Sequence, residues 1–198
     1  KQERVITIEE VFELKPQLPD VVAMQIRTAN LQGDGEIPMR RLIKLHQPKA
    51  SWREIAIDLI GGALAIGALA LITDVTQMPL LWAPFGGTCV LVFAAHKSPY
   101  SQPINVLGGH LLSASISLLL VYLLPHNTWS LMLIVGVVIA AMRLTRLTHP
   151  PAGANPIVIY LAKASWFVVL PSLAIGSVAI LLLGYLVHRF TKTVYPIV

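Results

Sequence analysis

The sequence predicts an all-α polytopic membrane protein, built from two three-segment repeats that run inverted to each other. Each repeat is expected to hold one Pro/Gly-broken segment, and a short polar N-terminal tail precedes them. Three observations carry this prediction. Hydrophobic residues make up 55% of the 198 and charged ones only 13%, against about 25% charged in soluble domains. The apolar residues gather after residue 54 into runs near the length a bilayer asks of a helix. Two of those runs are interrupted by proline and glycine at matching places, 67 positions apart from Pro84 to Pro151.

Residues 1–53 read as the polar tail. Val5-Ile6-Thr7-Ile8 suits a short strand, Glu9 to Leu14 a helical turn, and Gly33-Asp34-Gly35 a turn. Arg40, Arg41, Lys44, Lys49 and Arg53 crowd the approach to the first apolar run. Such a cluster serves as a topology signal or as a contact for anionic membrane lipid.

Residues 54–190 form the predicted transmembrane domain. Ile55–Thr73 is the first span, with Gly61, Gly62 and Gly67 as close-packing positions. Leu80–Ala95 is the first broken segment. Pro84-Phe85-Gly86-Gly87 is expected to be extended, with Thr88 capping a short helix. Ile104–Leu124 is a full span with a stripe of small residues at Gly109, Ser113 and Ser117, and with His110 near its start. Trp129–Met142 is a shorter span ending at Arg143 and Arg146.

Thr148-His149-Pro150-Pro151-Ala152-Gly153-Ala154-Asn155-Pro156 is the second break. Three prolines remove N–H donors there and Gly153 loosens the backbone. Asn155 is a preferred N-cap and Pro156 a preferred first helical residue, so a helix is expected from Pro156 to Ala162, stopping near Lys163. A start at Pro151 is the alternative. Trp166–Val187 is the last span, closed by His188, Arg189 and Lys192, and residues 191–198 are a C-terminal tail.

The repeat aligns Pro84 with Pro151, Gly86 with Gly153, Thr88 with Asn155, Ala95 with Ala162 and Gly109 with Gly176. If both broken segments cross, the chain crosses six times. Lys97, Arg143, Arg146, Arg189 and Lys192 then share the cytoplasmic side with the tail, and only Lys163 lies opposite. If both are re-entrant, Lys97, Arg143, Arg146 and Lys163 fall together outside, which the positive-inside rule disfavours. Irregular backbone inside a membrane must be buried in protein or line a polar cavity. Paired breaks in two halves of a chain point to a transporter's binding site, and helix N-termini there favour an anion. A tight-packing kink is the plainer explanation of either break.

Some chemistry is disfavoured. The net charge of +5 comes mostly from residues flanking apolar runs, so no nucleic-acid partner is expected. A single cysteine, Cys89, allows neither an internal disulfide nor a cysteine metal site. The histidines lack ligand spacing, so no metal, no cofactor and no catalytic residue is expected.

Thr-His-Pro-Pro-Ala-Gly-Ala-Asn at 148–155 resembles the signature of the HPP family of integral membrane proteins. Pro84 to Phe93, Gln102-Pro103 and Asn105 to His110 agree with it, and the resemblance covers roughly residues 52–190. It implies transport of nitrite, the cargo of characterised members in cyanobacteria and chloroplasts. A bacterial inner membrane or a chloroplast envelope would then house the protein, with both termini on the cytoplasmic or stromal side. The solute-binding candidates are Thr88, Asn155, Gly86, Gly87, Gly153, His149 and His110. Pro84, Pro150, Pro151, Pro156 and Gly109 are structural members of the motif. Thr88 and Asn155 would flank the anion, the glycines would admit close backbone approach, and His110 and His149 would polarise the path or carry a proton. Six thin crossings also suggest a homo-oligomer. Other classes are a membrane enzyme, and a structural or regulatory subunit whose tail is the active part.

Overall fold

Ser51 starts the first helix by a reciprocal cap. Its hydroxyl accepts from the Glu54 N–H at 3.2 Å, and Glu54 Oε2 accepts from the Ser51 N–H at 2.7 Å. The computed structural model describes residues 5–9, 21–25 and 49–197. The chain divides into two units, Lys1–Lys49 and Ala50–Val198. In the first, β1 (Val5–Glu9) pairs in parallel with β2 (Val21–Gln25), with Val5 opposite Val21. The expected strand at Val5–Ile8 is therefore present, and its partner was not foreseen. The expected helical turn at Glu9–Leu14 and the glycine turn at 33–35 lie outside the described residues, apart from Glu9, which is in β1. So does the basic cluster up to Lys44.

Among its described residues the second unit forms helices joined by short links, with no strand. Its helices are α1 (Trp52–Thr76), α2 (Pro84–Cys89), α3 (Pro103–Leu123), α4 (Thr128–Leu144), α5 (Asn155–Ala162) and α6 (Trp166–Phe190). Wider π-type turns carry α2 on through Val90–Ala94, and a tight 3₁₀ stretch over Pro150–Ala154 leads into α5. Helices α1, α3 and α6 are each long and apolar enough to cross a membrane. The 17 residues of α4 fall just short of that length class.

Contacts at the helix ends show that the broken segments cross the bundle. Arg53 donates to the Thr191 carbonyl at 2.6 Å, so α1 begins on the face where α6 ends. The chain leaves α1 on the opposite face, where Leu80 N–H donates to Thr73 Oγ1 at 3.1 Å. It then returns, because the His96 ring lies 4.7 Å from His188 near the end of α6. Helix α3 leads away again and α4 comes back, since Asn105 at the start of α3 donates to the carbonyls of Arg146 and Thr148, both at 3.1 Å. Tyr160 in α5 donates to the Asn127 carbonyl at 2.9 Å, beyond the far end of α3. Segment 145–162 has therefore crossed as well. Six passages result, three per half, so the second half begins on the face opposite to the first and the repeats are inverted.

Two helix starts differ from expectation. Pro84-Phe85-Gly86-Gly87 is helical, not extended, and Ala83 stands at the N-cap with Thr88 inside the helix. Asn155 is likewise already helical, and neither Thr88 nor Asn155 caps anything. The physical reason is that proline at the first helical position is itself a start signal, and Pro84 and Pro150 use it four and five residues earlier. Their first free N–H groups are taken locally: Phe85 N–H bonds Trp82 O at 2.9 Å, Gly86 N–H bonds Ala83 O at 3.1 Å and Ala152 N–H bonds His149 O at 3.0 Å. The helix stop at Lys163 is as expected, with left-handed backbone at φ 47°.

The halves grip each other through reciprocal glycines. A Cβ at Gly109 in α3 would stand 2.6 Å from His149 Cβ and 2.9 Å from the Leu147 carbonyl. A Cβ at the equivalent Gly176 in α6 would collide with the Phe85 ring. Each half thus packs its last helix on the other half's broken segment. Gly87 meets Pro151 where the two breaks touch, its Cβ position 3.2 Å from the ring.

The last residues form no loose tail. Tyr195 is buried and donates to the Ser101 carbonyl at 2.8 Å, and Ile197 N–H donates to Gln102 Oε1 at 3.0 Å. Burial raises the Tyr195 phenol pKa above its ordinary value, which keeps that donor protonated.

Candidate functional site

Four polar side chains meet where the two broken segments pack together. Thr88 comes from α2, His110 from α3, His149 from the approach to the Pro150–Ala154 turn and Asn155 from the start of α5. Each has no accessible surface. Thr88 is the hub: its Oγ1 lies 2.9 Å from His110 Nε2, 3.0 Å from His149 Nε2 and 3.3 Å from the Pro84 carbonyl. The imidazoles meet edge to face, 4.9 Å between centroids, and the Phe85 ring closes the other side of His110 at 5.1 Å.

The partners fix the direction of each bond. Asn155 Nδ2 is 3.3 Å from the His110 carbonyl, which can only accept, so the amide turns its NH₂ toward α3. The same nitrogen donates to His110 Nδ1 at 3.1 Å. His110 therefore carries its proton on Nε2 and donates it to Thr88. Histidine 149 donates from Nδ1 to the Tyr100 carbonyl at 2.8 Å, so its Nε2 holds a lone pair. The Thr88 O–H donates to that lone pair. A single oriented chain thus runs from Asn155 through His110, Thr88 and His149 to Tyr100. Its one loose end is Asn155 Oδ1, buried without a partner.

The scaffold around the chain explains several neighbouring residues. Asn105 clamps the link 146–148 from α3. Ser113, one turn beyond His110, donates to the Ala152 carbonyl at 2.7 Å and ties the Pro-rich turn to α3. Gln102 Nε2 donates to the carbonyls of His96 and Ser98, both at 2.9 Å, and shapes the loop that presents Tyr100.

Among the sequence candidates, Thr88, His110, His149 and Asn155 are brought together. Gly87 and Gly109 supply close approach. Gly86 and Gly153 do not, since a Cβ at either would meet nothing within 4 Å. Pro84, Pro150 and Pro151 set the turns, and Pro156 is buried at the start of α5. The Tyr100 carbonyl and the Asn105 and Ser113 clamps were not foreseen as part of the site. Asn105 already stood in the Asn-Val-Leu-Gly-Gly-His motif and Ser113 in the small-residue stripe, so both carried a signal. A backbone carbonyl carries none. Among the described residues no group of three His, Cys, Asp or Glu stands close enough to hold a metal.

Comparison with known proteins gives the chain its relatives. The profile described as "HPP, transmembrane region" matches residues 47–196. Two transmembrane proteins of Dictyostelium discoideum are similar. One is 30% identical, over 75% of this chain and 52% of its own length. The other is 31% identical, over 61% of this chain and 46% of its own length. The chain thus spans about half the length of the curated relatives it matches. No solved structure matches. With six passages, paired breaks and a profile match across nearly all of the helical unit, the chain belongs to the HPP family of transmembrane proteins.

Proposed function

We propose that this protein carries a small inorganic monoanion, nitrite foremost, across its membrane. The observation that supports this reading is the convergence of the two broken segments on one fully buried cluster of four hydrogen-bonded polar side chains. A plain anchor gains nothing from breaking two helices and then burying a threonine, an asparagine and two histidines between them. The cluster offers hydroxyl, amide and imidazole donors suited to a small oxyanion. Capped helix ends contribute nothing to it, because Thr88 and Asn155 do not cap.

Zero accessibility of all four side chains leaves no water-sized space against them. That favours a carrier with an occluded resting form over a permanently open channel. The six basic residues Arg53, Lys97, Arg143, Arg146, Arg189 and Lys192 gather on one face against Lys163 on the other, which favours a cytoplasmic placement for that face.

The test is nitrite flux into liposomes holding the purified chain. Thr88→Val removes the hub hydroxyl at nearly constant volume, and Asn155→Leu removes the amide. Each is expected to lower flux by about tenfold or more, the scale of losing a buried hydrogen-bonded group. Unchanged flux in both, with normal yield of folded protein, would remove the cluster from the mechanism.

One geometry favours a second reading, a membrane-embedded hydrolase. Thr88, His149 and the Tyr100 carbonyl stand as nucleophile, base and orienting acceptor. A hydroxyl-directed phosphonate probe would label Thr88 in that case and leave it untouched in a carrier.

A further inference from the structure

We propose that the Thr88-bridged imidazoles take up one proton, on His149 Nε2, with each anion that enters, so that the cargo crosses as an electroneutral anion–proton pair. This rests on the anion-carrier reading and adds its charge coupling.

The argument starts from what surrounds the cluster. An anion in a low-dielectric interior needs a compensating charge. From α2 the cluster meets Thr88 and Phe85, with Cys89 buried beside them. From α3 it meets His110 and Ser113, from α5 Asn155, and from the loop before α3 the Tyr100 carbonyl. Helix α4 turns Ile134, Val138 and Met142 inward. In α1 the carboxylate of Asp58 interacts with His96 and His188, not with the rings of the cluster. No lysine, arginine or carboxylate among the described residues bonds either ring of the cluster. The two imidazoles are thus the groups that can become positive there.

The hydrogen-bond directions choose between them. His110 has both nitrogens engaged in its present form: Nδ1 accepts from Asn155 and Nε2 donates to Thr88. A second proton on Nδ1 would face the Asn155 NH₂ group. Turning the amide over would relieve this only by setting Oδ1 against the His110 carbonyl. His149 has no such obstacle. Its Nδ1–H is held by Tyr100, and its Nε2 lone pair is met only by the Thr88 hydroxyl.

That hydroxyl has a second acceptor ready, the Pro84 carbonyl at 3.3 Å. A proton arriving on His149 Nε2 forms an N–H bond and breaks none in the protein. The Thr88 O–H swings to Pro84, and Thr88 Oγ1 then accepts from both rings. The result is an imidazolium and an imidazole aimed from two sides at one point. A monoanion that displaces the hydroxyl from that point meets two N–H donors and one positive charge. Release of the anion returns the proton from Nε2, and the hydroxyl swings back.

The test uses the full chain in liposomes loaded with a pH dye, with nitrite added outside. Protein-free liposomes give the passive nitrous acid background to subtract. The expected result is nitrite entry above background, with interior acidification in step with it. The rate should also be indifferent to a potassium diffusion potential of either sign. Entry that follows the potential while internal pH stays at background overturns the pairing and leaves anion carriage standing. No entry above background overturns both. His149→Gln should cut nitrite-driven acidification by about tenfold or more, since the proton loses its seat. A folded His149→Gln protein that still acidifies in step with nitrite overturns the choice of His149. If that variant does not elute as a folded particle, the potential measurement on the unaltered chain decides alone.

Discussion

Thr88 has one proton to give and two acceptors within reach, His149 Nε2 and the Pro84 carbonyl, and the behaviour of the buried cluster follows from that shortage. A hydroxyl that can turn between His149 and the Pro84 carbonyl makes a two-position switch without backbone movement. Gly109 shows the opposite economy, a residue with no freedom at all. Gly109→Ala would place a methyl group 2.6 Å from His149 Cβ and 2.9 Å from the Leu147 oxygen. It is expected to cost about 1–3 kcal/mol, the range for overpacking a filled interior. Gly86→Ala meets nothing and removes a helix-interior glycine, so it should be neutral or stabilising by up to about 1 kcal/mol. Thermal unfolding of the two variants in one detergent checks both directions, and an equal effect would contradict the packing described. At this scale the sequence marked four polar residues that the fold brings together, and the capping it expected of Thr88 and Asn155 is not made. Capping preferences look only to the nearest backbone N–H. The partners Thr88 actually takes lie 22 and 61 positions away, where no local rule reaches.

Broken segments are the elements that matter, and each crosses by mixing helical pitches. Six α-helical residues and five in π-type turns carry the first through, after an irregular approach from Gln77. The second adds a 3₁₀ stretch to the eight residues of α5. A 3₁₀ turn rises farther per residue than an α turn, so the stretch over Pro150–Ala154 spans more length than five α-helical residues would. The crossing itself is checked by impermeant thiol labelling of Lys97→Cys and Lys163→Cys in a Cys89→Ser background. Lys97→Cys should react from the cytoplasmic side and Lys163→Cys from the other; labelling of both from one side would contradict the six passages. Proline and glycine made the breaks plain from sequence, and the fixed offset made them a pair. Their helical starts were misplaced because two start signals competed, proline at Pro84 and a capping side chain at Thr88. Sequence alone does not rank them. Packing of Gly87 on Pro151 fits the earlier start, since it brings the helical turn around Gly87 against the other break.

At the level of the whole molecule, inversion divides the labour between the halves. Equivalent positions hold Gly109 and Gly176, but His110 is matched by Ser177, whose hydroxyl is buried without a partner. His149 of the second half is matched in turn by Trp82, so each half contributes one imidazole that its counterpart lacks. Outward faces stay apolar, with Trp129, Met132, Leu133 and Ile139 exposed on α4 and Leu59, Leu64 and Leu71 on α1. We infer that copies of the chain associate through such faces in the membrane. Light scattering on detergent-solubilised protein should give a multiple of the 21.6 kDa chain mass, and a monomer under gentle extraction would contradict this. Patterning of apolar runs and basic flanks favoured six passages over four, because only six put Lys97, Arg143 and Arg146 on one side with the basic tail. What it could not foresee is the fastening of the stretch after Lys192. Tyr195 and Ile197 hold Ser101 and Gln102, and their neighbour Tyr100 holds His149. Tyr195 and Ile197 therefore brace the loop whose Tyr100 carbonyl holds the buried imidazole. Loosening Tyr195 or Ile197 is expected to disturb the carbonyl that orients that imidazole.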